Sequence, residues 1–391
     1  MPYVSESERT RLIEVRRRIH AHPELAYEEQ ATARLVSERL RELGLSPQGG
    51  VAETGVVAEL KGQGGAGPTI LLRADLDALP VHELNEVPYR SQRAGLMHAC
   101  GHDGHVSALL VAAERLVAQP SFAGTVRFCF QPAEEGRGGA KRMIEEGVLE
   151  GVERVFGLHL WNELPTGSVA CTAGPMLAAV DRFRIVVLGE GGHAALPQRV
   201  RDPIVAASQV VQALQTLASR WTDPLDPLVV TVGRFAAGTN WNVVPPHAEL
   251  EGTCRSFSRA TYEALPAKLE QVARDSAAAH GCEVEVHYDR TTPPVINDPA
   301  AALLGRRVVQ RLAGEAAALS EGPGTRAMIG EDFAEFLELR PGAFFLVGSR
   351  NEARGLTHPH HSDRFDFDED ALPLAARLLE ELAREALTPV G

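Results

Sequence analysis

The stretch that decides the fold is residues 125–136, which read Thr-Val-Arg-Phe-Cys-Phe-Gln-Pro-Ala-Glu-Glu-Gly. Its first part, Thr125 to Phe130, is rich in β-branched and aromatic residues, which is typical of a buried strand. Two carboxylates, Glu134 and Glu135, follow where this strand ends. In open α/β sheets, ligands bind beyond the carboxyl ends of the strands. The stretch therefore predicts a sheet with a functional site at its edge.

Strands and helices alternate on both sides of this stretch. Helices are predicted at His105–Val117 and Ala140–Glu146, and strands at Thr69–Leu72 and Val155–Leu158. This alternation is typical of an α/β domain with a largely parallel, helix-flanked central sheet. Asp75 and Asp77 follow the first of these strands, and His159 follows the second. We expect all of these polar residues to meet at one edge of the sheet.

From about residue 180 the pattern changes to strand, helix, two strands, helix, strand. This β-α-β-β-α-β order is the split arrangement of ferredoxin-like domains. Because the α/β pattern resumes afterwards, we expect a discontinuous catalytic, metal-binding domain of residues 1–179 and 293–391. The inserted residues 180–292 are expected to form a lid domain, since an insertion of this kind can close over a cleft.

Composition excludes several classes of protein. The chain has 391 residues and a formal net charge of −13, which argues against nucleic-acid binding because that needs a basic face. No apolar run is long enough to span a bilayer, so no membrane partner is expected. Five scattered cysteines indicate no disulfide framework and favour a reducing compartment. With no signal-peptide pattern at the first residues, we predict a cytoplasmic protein.

A second polar stretch, residues 98–105, reads His-Ala-Cys-Gly-His-Asp-Gly-His. Such a cluster is hard to explain as packing, because buried polar groups without partners are costly. Cys100 offers a thiolate that can bridge two borderline cations, and His102 offers an imidazole. Both are expected on a loop that leads into the helix beginning at His105. Asp103 suits either a hydrogen bond to a ligand imidazole or an N-cap, and the first and last histidines are expected to support the ligands.

The remaining polar groups complete a two-metal inventory. One carboxylate of the pair Glu134 and Glu135 can bind a metal, while the other takes a proton from water. With the thiolate, the imidazoles and His159, this is the donor set of a dinuclear hydrolase. A loop that contains His358, His360 and His361 is a source of the last ligand, although spacing alone does not choose among the three.

The inserted region contains two glycine-rich loops. One surrounds His193, and the other contains Asn242 and precedes the strand with Arg255. A glycine-rich loop with one histidine is more often a turn than a site. Arg255 suits either a surface ion pair or a clamp for a free carboxylate.

Together these stretches resemble the metal-dependent amidohydrolases that include hippurate hydrolase, N-acyl-L-amino-acid amidohydrolases and plant indole-acetyl-amino-acid hydrolases. That group belongs to the aminoacylase and carboxypeptidase metallopeptidase superfamily. The resemblance covers nearly the whole chain, and its motifs are His20–Glu24, Arg73–Pro80, His98–His105, Gln131–Gly136, Gly189–Pro197, Asn242–Pro245, Gly330–Phe333 and the C-terminal histidine loop.

The resemblance implies an enzyme that cleaves the amide bond of N-acyl L-amino acids. Two divalent ions are implied for each subunit, with zinc, manganese, cobalt and nickel as candidates. Glu134 is implied as the general base and Cys100 as the bridging ligand. The other implied ligands are His102, Glu135, His159 and His361. Most of the superfamily has a metal-binding histidine where this chain has Arg73 and an aspartate where it has Cys100.

The last ligand is the least certain part of this set. His361 stands four residues before Phe365, as in the resembling enzymes, but the proline of their pattern is Asp363 here. This departure keeps His360 open as an alternative.

The inserted domain is implied to form a homodimer in which His193 helps stabilise the oxyanion. Arg255 and Asn242 are implied to bind the small-molecule substrate. The runner-up activity is that of a metallo-dipeptidase or carboxypeptidase of the same superfamily. A non-catalytic binding relative would be expected to have lost the base or a ligand, and no such loss is visible in the sequence.

Overall fold

The computed structural model describes residues 3–388. They form two compact units. The first contains the chain up to Met176, Ile296–Arg326 and the chain from Asp332 onward, and the second contains Leu177–Val295 and Ala327–Glu331. The insertion was expected at residues 180–292; its role as a lid and dimerisation domain stays a prediction.

The helices and strands are numbered in chain order. The helices are α1 Glu6–His20, α2 Gln30–Glu42, α3 His102–Ala118, α4 Gly139–Glu145, α5 Pro203–Thr216, α6 Arg259–Ala278, α7 Pro299–Ala313, α8 Ala334–Leu339 and α9 Leu372–Ala386. The strands are β1 Gln48–Val51, β2 Gly55–Lys61, β3 Thr69–Asp75, β4 Thr125–Gln131, β5 Val152–Pro165, β6 Val169–Ala170, β7 Gly174–Leu177, β8 Val180–Leu188, β9 Gly192–His193, β10 Leu228–Ala237, β11 Val243–Val244, β12 His247–Ser256, β13 Glu283–Thr292, β14 Val295–Asn297, β15 Ala318–Leu319 and β16 Gly342–Arg350. Among residues 3–388, no helix has the length and apolar character needed to cross a membrane.

The first unit is built on an eight-stranded sheet with the order β1-β2-β4-β3-β5-β16-β6-β15. Its central strands β4, β3, β5 and β16 are parallel, and the antiparallel pairings lie toward the edges. Asp75 at the end of β3 pairs in register with Gln131 at the end of β4. The predicted α/β fold with a largely parallel sheet is confirmed, and the chain segments after these two strands leave the same edge.

Helix α3 positions the second polar stretch against the sheet. It is buried on nearly all sides, as expected for a helix that is apolar around its whole circumference. Gly104 in its first turn has no side chain, and a Cβ there would lie 2.5 Å from Cδ1 of Leu160. This close approach brings the start of α3 next to β5.

The second unit has the predicted β-α-β-β-α-β order, formed by β8, α5, β10, β12, α6 and β13. Its antiparallel sheet has the strand order β10-β12-β8-β13, which is the ferredoxin-like arrangement. Residues of alternate strand positions and of both helices form one apolar core, which includes Ile185, Leu250 and Leu269. Short strands β9 and β11 extend beyond one end of this sheet as a separate ladder.

Two expected element boundaries were wrong. Helix α3 begins at His102 rather than His105, because Gly101 takes the N-cap position with φ 94°. Strand β5 continues through His159 to Pro165, so that histidine lies inside the strand instead of after it. In both cases a polar residue stands at a position where the element would normally have an apolar one. This interrupts the apolar periodicity from which helices and strands are predicted.

Candidate metal centre

The carboxyl edge of the parallel strands gathers the residues that the sequence singled out in the first unit. Strand β3 runs three residues further than expected and ends at Asp75, and Asp77 follows it. The segment after β4 supplies the two glutamates, and β5 supplies His159. The start of α3 and the C-terminal histidine loop add the rest. The groups of potential ligand atoms that lie within 4.8 Å of one another include Cys100–His102–His159, Cys100–Glu135–His361 and His102–Glu134–Glu135.

Cys100 belongs to two of these three-residue groups. Its Sγ lies 3.3 Å from Nε2 of His159, and it shares the first group with His102. It shares the second with Glu135 and His361, whose Oε1 and Nε2 atoms are 3.2 Å apart. One sulfur therefore lies between two sets of ligand atoms, which is the arrangement that a bridging thiolate requires.

The buried imidazoles of His102 and His159 each use Nδ1 for a hydrogen bond to the backbone and leave Nε2 for the ligand group around Cys100. Nδ1 of His102 donates to the backbone oxygen of Asp77 at 2.9 Å, and its Nε2 has no hydrogen-bond partner among the described residues. Nδ1 of His159 donates to the backbone oxygen of Leu160 at 2.7 Å. Each of these hydrogen bonds fixes the ring as the tautomer whose Nε2 carries a lone pair, as in metal-ligating histidines.

The glutamate pair is held by its backbone. Ala133, directly before it, has the left-handed φ of 55°, which redirects the chain after β4. The N–H groups of Glu134 and Glu135 then donate to Oδ1 and Oδ2 of Asp77 at 3.1 and 2.9 Å. Both glutamate side chains remain partly exposed, and Oε2 of Glu134 lies 3.9 Å from Nε2 of His102.

The structure distinguishes the two neighbouring histidines of the C-terminal loop. His361 has a left-handed φ of 67°, an uncommon conformation for a residue with a side chain, and its imidazole lies beside Glu135. His360 instead donates from Nε2 to the backbone oxygen of Leu160 at 2.9 Å and stacks on Trp161. Burial lowers the pKa of His360 to about 3. The geometry thus favours His361 as a ligand and His360 as its support.

His105 is engaged at both ring nitrogens. Nδ1 donates to Oδ1 of Asp75 at 2.6 Å, and Nε2 accepts the N–H of Leu160 at 2.8 Å. This agrees with a supporting role for His105. His98 is buried and contacts none of the proposed ligands through a hydrogen bond within residues 3–388; burial lowers its pKa to about 4.

Neither role expected for Asp103 is found. Its carboxylate pairs with Arg16 at 2.9 Å and with Nδ1 of His20 at 2.8 Å, and the N-cap position belongs to Gly101. Arg16 is fully buried and also pairs with Asp366 at 2.7 Å. This charged network joins α1 to the start of α3, and it could not be predicted from the sequence because its members are far apart along the chain.

Arg73, where the resemblance implies a metal-binding histidine in most of the superfamily, is buried. It pairs with Asp75 at 2.7 Å and with Asp332 at 3.1 Å, and it donates to Gln131 at 2.8 Å. Asp332 also accepts the N–H of Ala140 at 3.0 Å. The guanidinium thus holds the ends of β3 and β4 together. Asp75 and Asp77 were expected at this edge of the sheet, and Asp332 lies in the motif Gly330–Phe333, but no role was predicted for any of the three.

The donor set fits divalent cations. Burial alone would lower the pKa of His102, but the carboxylates of Asp75 and Asp77 raise it to about 10. Such a site draws in positive charge, either a proton or a metal ion. Thiolate, imidazole and carboxylate donors together suit borderline cations such as zinc. Nε2 of His102, which has no hydrogen-bond partner among residues 3–388, is a buried atom that a metal ion would satisfy.

In the second unit, His193 and Asn242 lie together. His193 pairs with Val243 in the β9–β11 ladder, and the backbone oxygen of Asn242 accepts the N–H of Ala194 at 3.1 Å. Nδ1 of the exposed His193 accepts the N–H of Ala195 at 3.1 Å. In the neutral ring, Nε2 therefore carries the proton and is free to donate.

Arg255 lies in strand β12 of the four-stranded sheet, near the end remote from His247. Its neighbour Cys254 pairs with Asp181 at the start of β8, whereas His247 pairs with Leu188 at the end of β8. Eight residues of strand separate Arg255 from His247, or roughly 26 Å at about 3.3 Å per residue. Arg255 is partly buried and forms no ion pair with any carboxylate of the described residues, donating only to Thr253 and to the backbone oxygen of Cys254.

A model of the peptidase family M20/M25/M40 matches residues 71–385. The chain belongs to this family. It is 40% identical over 379 residues to an N-acetylcysteine deacetylase from Bacillus subtilis, with 96% of both chains covered. It is 42% identical over 382 residues to the IAA-amino acid hydrolase ILR1-like 4 of Arabidopsis thaliana, with 96% of this chain and 86% of the relative covered.

Two further similarities extend this result. A thermostable carboxypeptidase 2 from Saccharolobus solfataricus is 39% identical over 371 residues, with 93% of this chain and 92% of that relative covered. The solved structure of the Bacillus subtilis YXEP protein, described as a dinuclear metal-binding peptidase of the M20 family, superposes with a TM-score of 0.86 at 37% identity over 98% of this chain and 99% of that chain. The M20 member described here is therefore an amide-bond hydrolase, and its ligand groups support a centre for two divalent metals.

Proposed function

We propose that this protein is a metal-dependent amidohydrolase that cleaves N-acyl L-amino acids into a carboxylic acid and a free amino acid. The observation that carries the proposal is the position of Cys100 between two groups of ligand atoms, with Glu134 beside one of them. An inventory of one bridging sulfur, two outer ligand pairs and one spare carboxylate is suited to hydrolysis with two cations.

The residues proposed to hold the cations divide into a shared ligand and two pairs. Cys100 is shared, His102 and His159 form one pair, and Glu135 and His361 form the other. When bound, the two ions supply Lewis acidity, which makes water a better nucleophile at neutral pH and polarises the carbonyl of the scissile amide. Zinc, manganese, cobalt and nickel all suit this mixed donor set.

Glu134 is proposed as the general base. Its backbone is fixed by Asp77, whereas its carboxylate is partly exposed and lies near His102 without sharing a group with Cys100. A carboxylate in this position can take a proton from the attacking water and deliver it to the leaving nitrogen, which must be protonated before the C–N bond breaks. Its neighbour Glu135 is then left to bind metal.

Substrate binding is proposed to involve the second unit. Arg255 is partly buried, donates to Thr253 and to the backbone oxygen of Cys254, and is attracted electrostatically by Asp181; we propose that its guanidinium also binds the carboxylate of an amino acid. His193 offers an N–H donor for the oxyanion that forms on the scissile carbonyl, and Asn242 lies beside it.

A homodimer reconciles these two roles. Arg255 lies near the far end of β12, whereas His193 pairs with Val243, four residues before the start of that strand, so we infer that one small substrate does not reach both from the same copy of the second unit. We therefore propose that the second unit forms the dimer interface, and that His193 and Asn242 complete the site of the partner subunit. All five cysteines of the chain are buried thiols outside any disulfide, which supports the proposal of a reducing, cytoplasmic location.

A panel of substrates tests this function. Purified protein reconstituted with zinc, manganese, cobalt or nickel is incubated with N-acetyl, N-benzoyl and N-indoleacetyl amino acids, with unblocked dipeptides, and with an N-acyl amino acid amide. We expect hydrolysis of N-acyl amino acids that have a free carboxylate and little hydrolysis of the amide analogue. Faster cleavage of dipeptides would favour the runner-up, a dipeptidase or carboxypeptidase, to which the 39% identical thermostable carboxypeptidase lends support. Inactivity with every substrate and metal would favour a non-catalytic relative.

A further inference from the structure

The backbone oxygen of Leu160 accepts hydrogen bonds from two histidines. Nδ1 of His159 donates to it at 2.7 Å, and Nε2 of His360 donates to it at 2.9 Å. The N–H of the same leucine donates to Nε2 of His105 at 2.8 Å. Because a carbonyl oxygen has two lone pairs, the two donors fill its acceptor capacity. One buried residue of β5 therefore joins imidazoles from β5, α3 and the C-terminal histidine loop.

This arrangement occurs where β5 extends beyond its neighbour β3. The two strands pair only as far as Arg73 opposite Gly157, and Leu160 lies three residues further along β5. Buried backbone groups without partners are costly, so those that no neighbouring strand satisfies must be satisfied by side chains. At Leu160 histidine rings do this, and their hydrogen bonds connect the strand to segments that contain proposed ligands.

His361 depends on its backbone for its orientation. Its side chain is 55% exposed, so packing alone does not hold the imidazole in place. Its φ of 67° is left-handed, and a residue with a side chain keeps this conformation only where the surrounding structure holds it. The N–H of His361 donates to the backbone oxygen of Ala99 at 2.8 Å. The residue on its other side, His360, supplies a second point of attachment.

The ring of His360 is held between two aromatic side chains. It stacks on Trp161 with 4.7 Å between the ring centroids, and it lies 4.8 Å from the ring of Phe365. Both neighbours are buried, so the imidazole is confined to a position from which Nε2 reaches β5. The shared acceptor is thus one residue from His159 and one hydrogen bond from the residue before His361.

We infer that His360 is a positioning residue whose hydrogen bond to Leu160 fixes His361 relative to His159, and with them the two ligand pairs of the metal centre. This inference rests on the proposed function. His360 acts through the backbone and does not bind metal itself.

The two proposed ligand pairs should depend on this hydrogen bond to different extents. The pair Glu135 and His361 should need it, because the exposed imidazole of His361 has little other support. The pair His102 and His159 should need it less, since Nδ1 of His159 keeps its acceptor when the other donor is removed. Loss of the hydrogen bond is therefore expected to weaken the binding of one ion selectively.

His360→Phe and His360→Gln separate the two contacts of this ring. Phenylalanine keeps an aromatic ring beside Trp161 but cannot donate, whereas glutamine keeps an N–H donor at a similar reach without the ring. His82→Phe is the control, since His82 is an exposed histidine in an irregular segment of the first unit. The two dissociation constants for zinc are measured by calorimetry on metal-free protein, together with the midpoint of thermal unfolding.

For His360→Phe we expect one zinc ion to bind about 10- to 100-fold more weakly, while the affinity for the other changes by less than about threefold. His360→Gln and His82→Phe should bind both ions as the wild type does. The midpoint of thermal unfolding of metal-free His360→Phe should stay near that of the wild type. The oxygen of Leu160 still accepts from His159, so the substitution leaves no buried acceptor unpaired.

Wild-type affinity of His360→Phe for both ions would overturn the inference, as would an equal loss of affinity for the two. A loss in His360→Gln as large as that in His360→Phe would also overturn it, because this is the result expected if the ring of His360 itself bound metal. If His360→Phe does not fold, His360→Leu replaces it, since leucine also lacks a donor and occupies less space.

The same measurements separate this inference from the proposed function. A wild type that binds fewer than two ions would reject the two-metal hydrolase and the positioning role with it. An active wild type with two ions, beside unchanged binding of both ions by His360→Phe, would reject the positioning role alone.

Discussion

The Sγ atom of Cys100 lies 3.3 Å from Nε2 of His159. The histidine belongs to the interior of β5, and the cysteine precedes α3, so the contact depends on the close packing of that helix on the strand at Gly104. On its other side Cys100 is grouped with Glu135 and His361. A thiol buried among four potential metal ligands is under different chemical control from an ordinary core cysteine.

Cys100→Ser should weaken the binding of both metal ions together, since a hydroxyl is a poor replacement for a bridging thiolate. In the wild-type protein, iodoacetamide should modify Cys100 faster in the metal-free form than in the metal-loaded form, because coordination occupies the thiolate. Metal analysis of the variant and peptide mapping by mass spectrometry measure the two effects. Loss of only one ion, or equal modification in both forms, would contradict bridging.

His193 and Glu134 variants should complement each other. His193→Ala removes a proposed oxyanion donor, which typically lowers turnover by about a hundredfold to a thousandfold, while Glu134→Gln removes the proposed base. After subunit exchange, mixed dimers contain one site in which both residues are intact, so part of the activity should return. Activity is assayed before and after exchange, with exchange verified by a tag on one variant. A monomer in sedimentation, or no recovery after proven exchange, would reject the shared site.

Asp181 should make the stability of the protein depend on pH. Burial raises the pKa of this carboxyl to about 6, although the hydroxyl of Tyr288 donates to it. Because this value exceeds the ~3.9 of an unfolded chain, the stability that Asp181 contributes is present below about pH 4 and is lost as the pH rises through about 6. The side chain in Asp181→Asn stays neutral at every pH. At about pH 8 the free energy of unfolding of this variant should therefore exceed that of the wild type by up to roughly 3 kcal/mol.

Urea unfolding of both proteins at about pH 4 and about pH 8 measures this difference. The variant's advantage should be larger at the higher pH. Asp275→Asn on the exposed side of α6 is the control and should show no such change. An advantage of Asp181→Asn that is equal at both values would contradict the raised pKa.

Much of the fold could be predicted from the sequence, because apolar periodicity marks each strand and helix that buries one face. The ferredoxin-like order of the second unit and the parallel core of the first follow from that periodicity and from the glycines between elements. The start of α3 and the extent of β5 could not be predicted, since His102 and His159 interrupt the apolar pattern within regular elements.

For the site, the sequence predicts the residues that offer metal-binding atoms but not the hydrogen bonds that hold these residues in place. Histidine, cysteine and glutamate are conspicuous as ligands, so the groups around Cys100 were expected. Asp77 and Asp75 were noticed at a strand end but their partners were not, because hydrogen bonds such as that from the N–H of Glu135 to Asp77 join residues that only the fold brings together. The separation of Arg255 from His193 likewise depends on strand register, which the sequence alone does not define.

The most direct test of the proposed function is the metal content and turnover of Glu134→Gln, measured on the same preparation. The substitution keeps the size of the side chain and removes its ability to accept a proton, and Glu134 is not one of the proposed ligands. We predict two ions per chain, as in the wild type, with turnover of an N-acyl amino acid reduced by about a hundredfold to ten-thousandfold. Turnover near that of the wild type, or a protein that has lost its metal, would contradict the assignment of Glu134 as the base of a two-metal hydrolase.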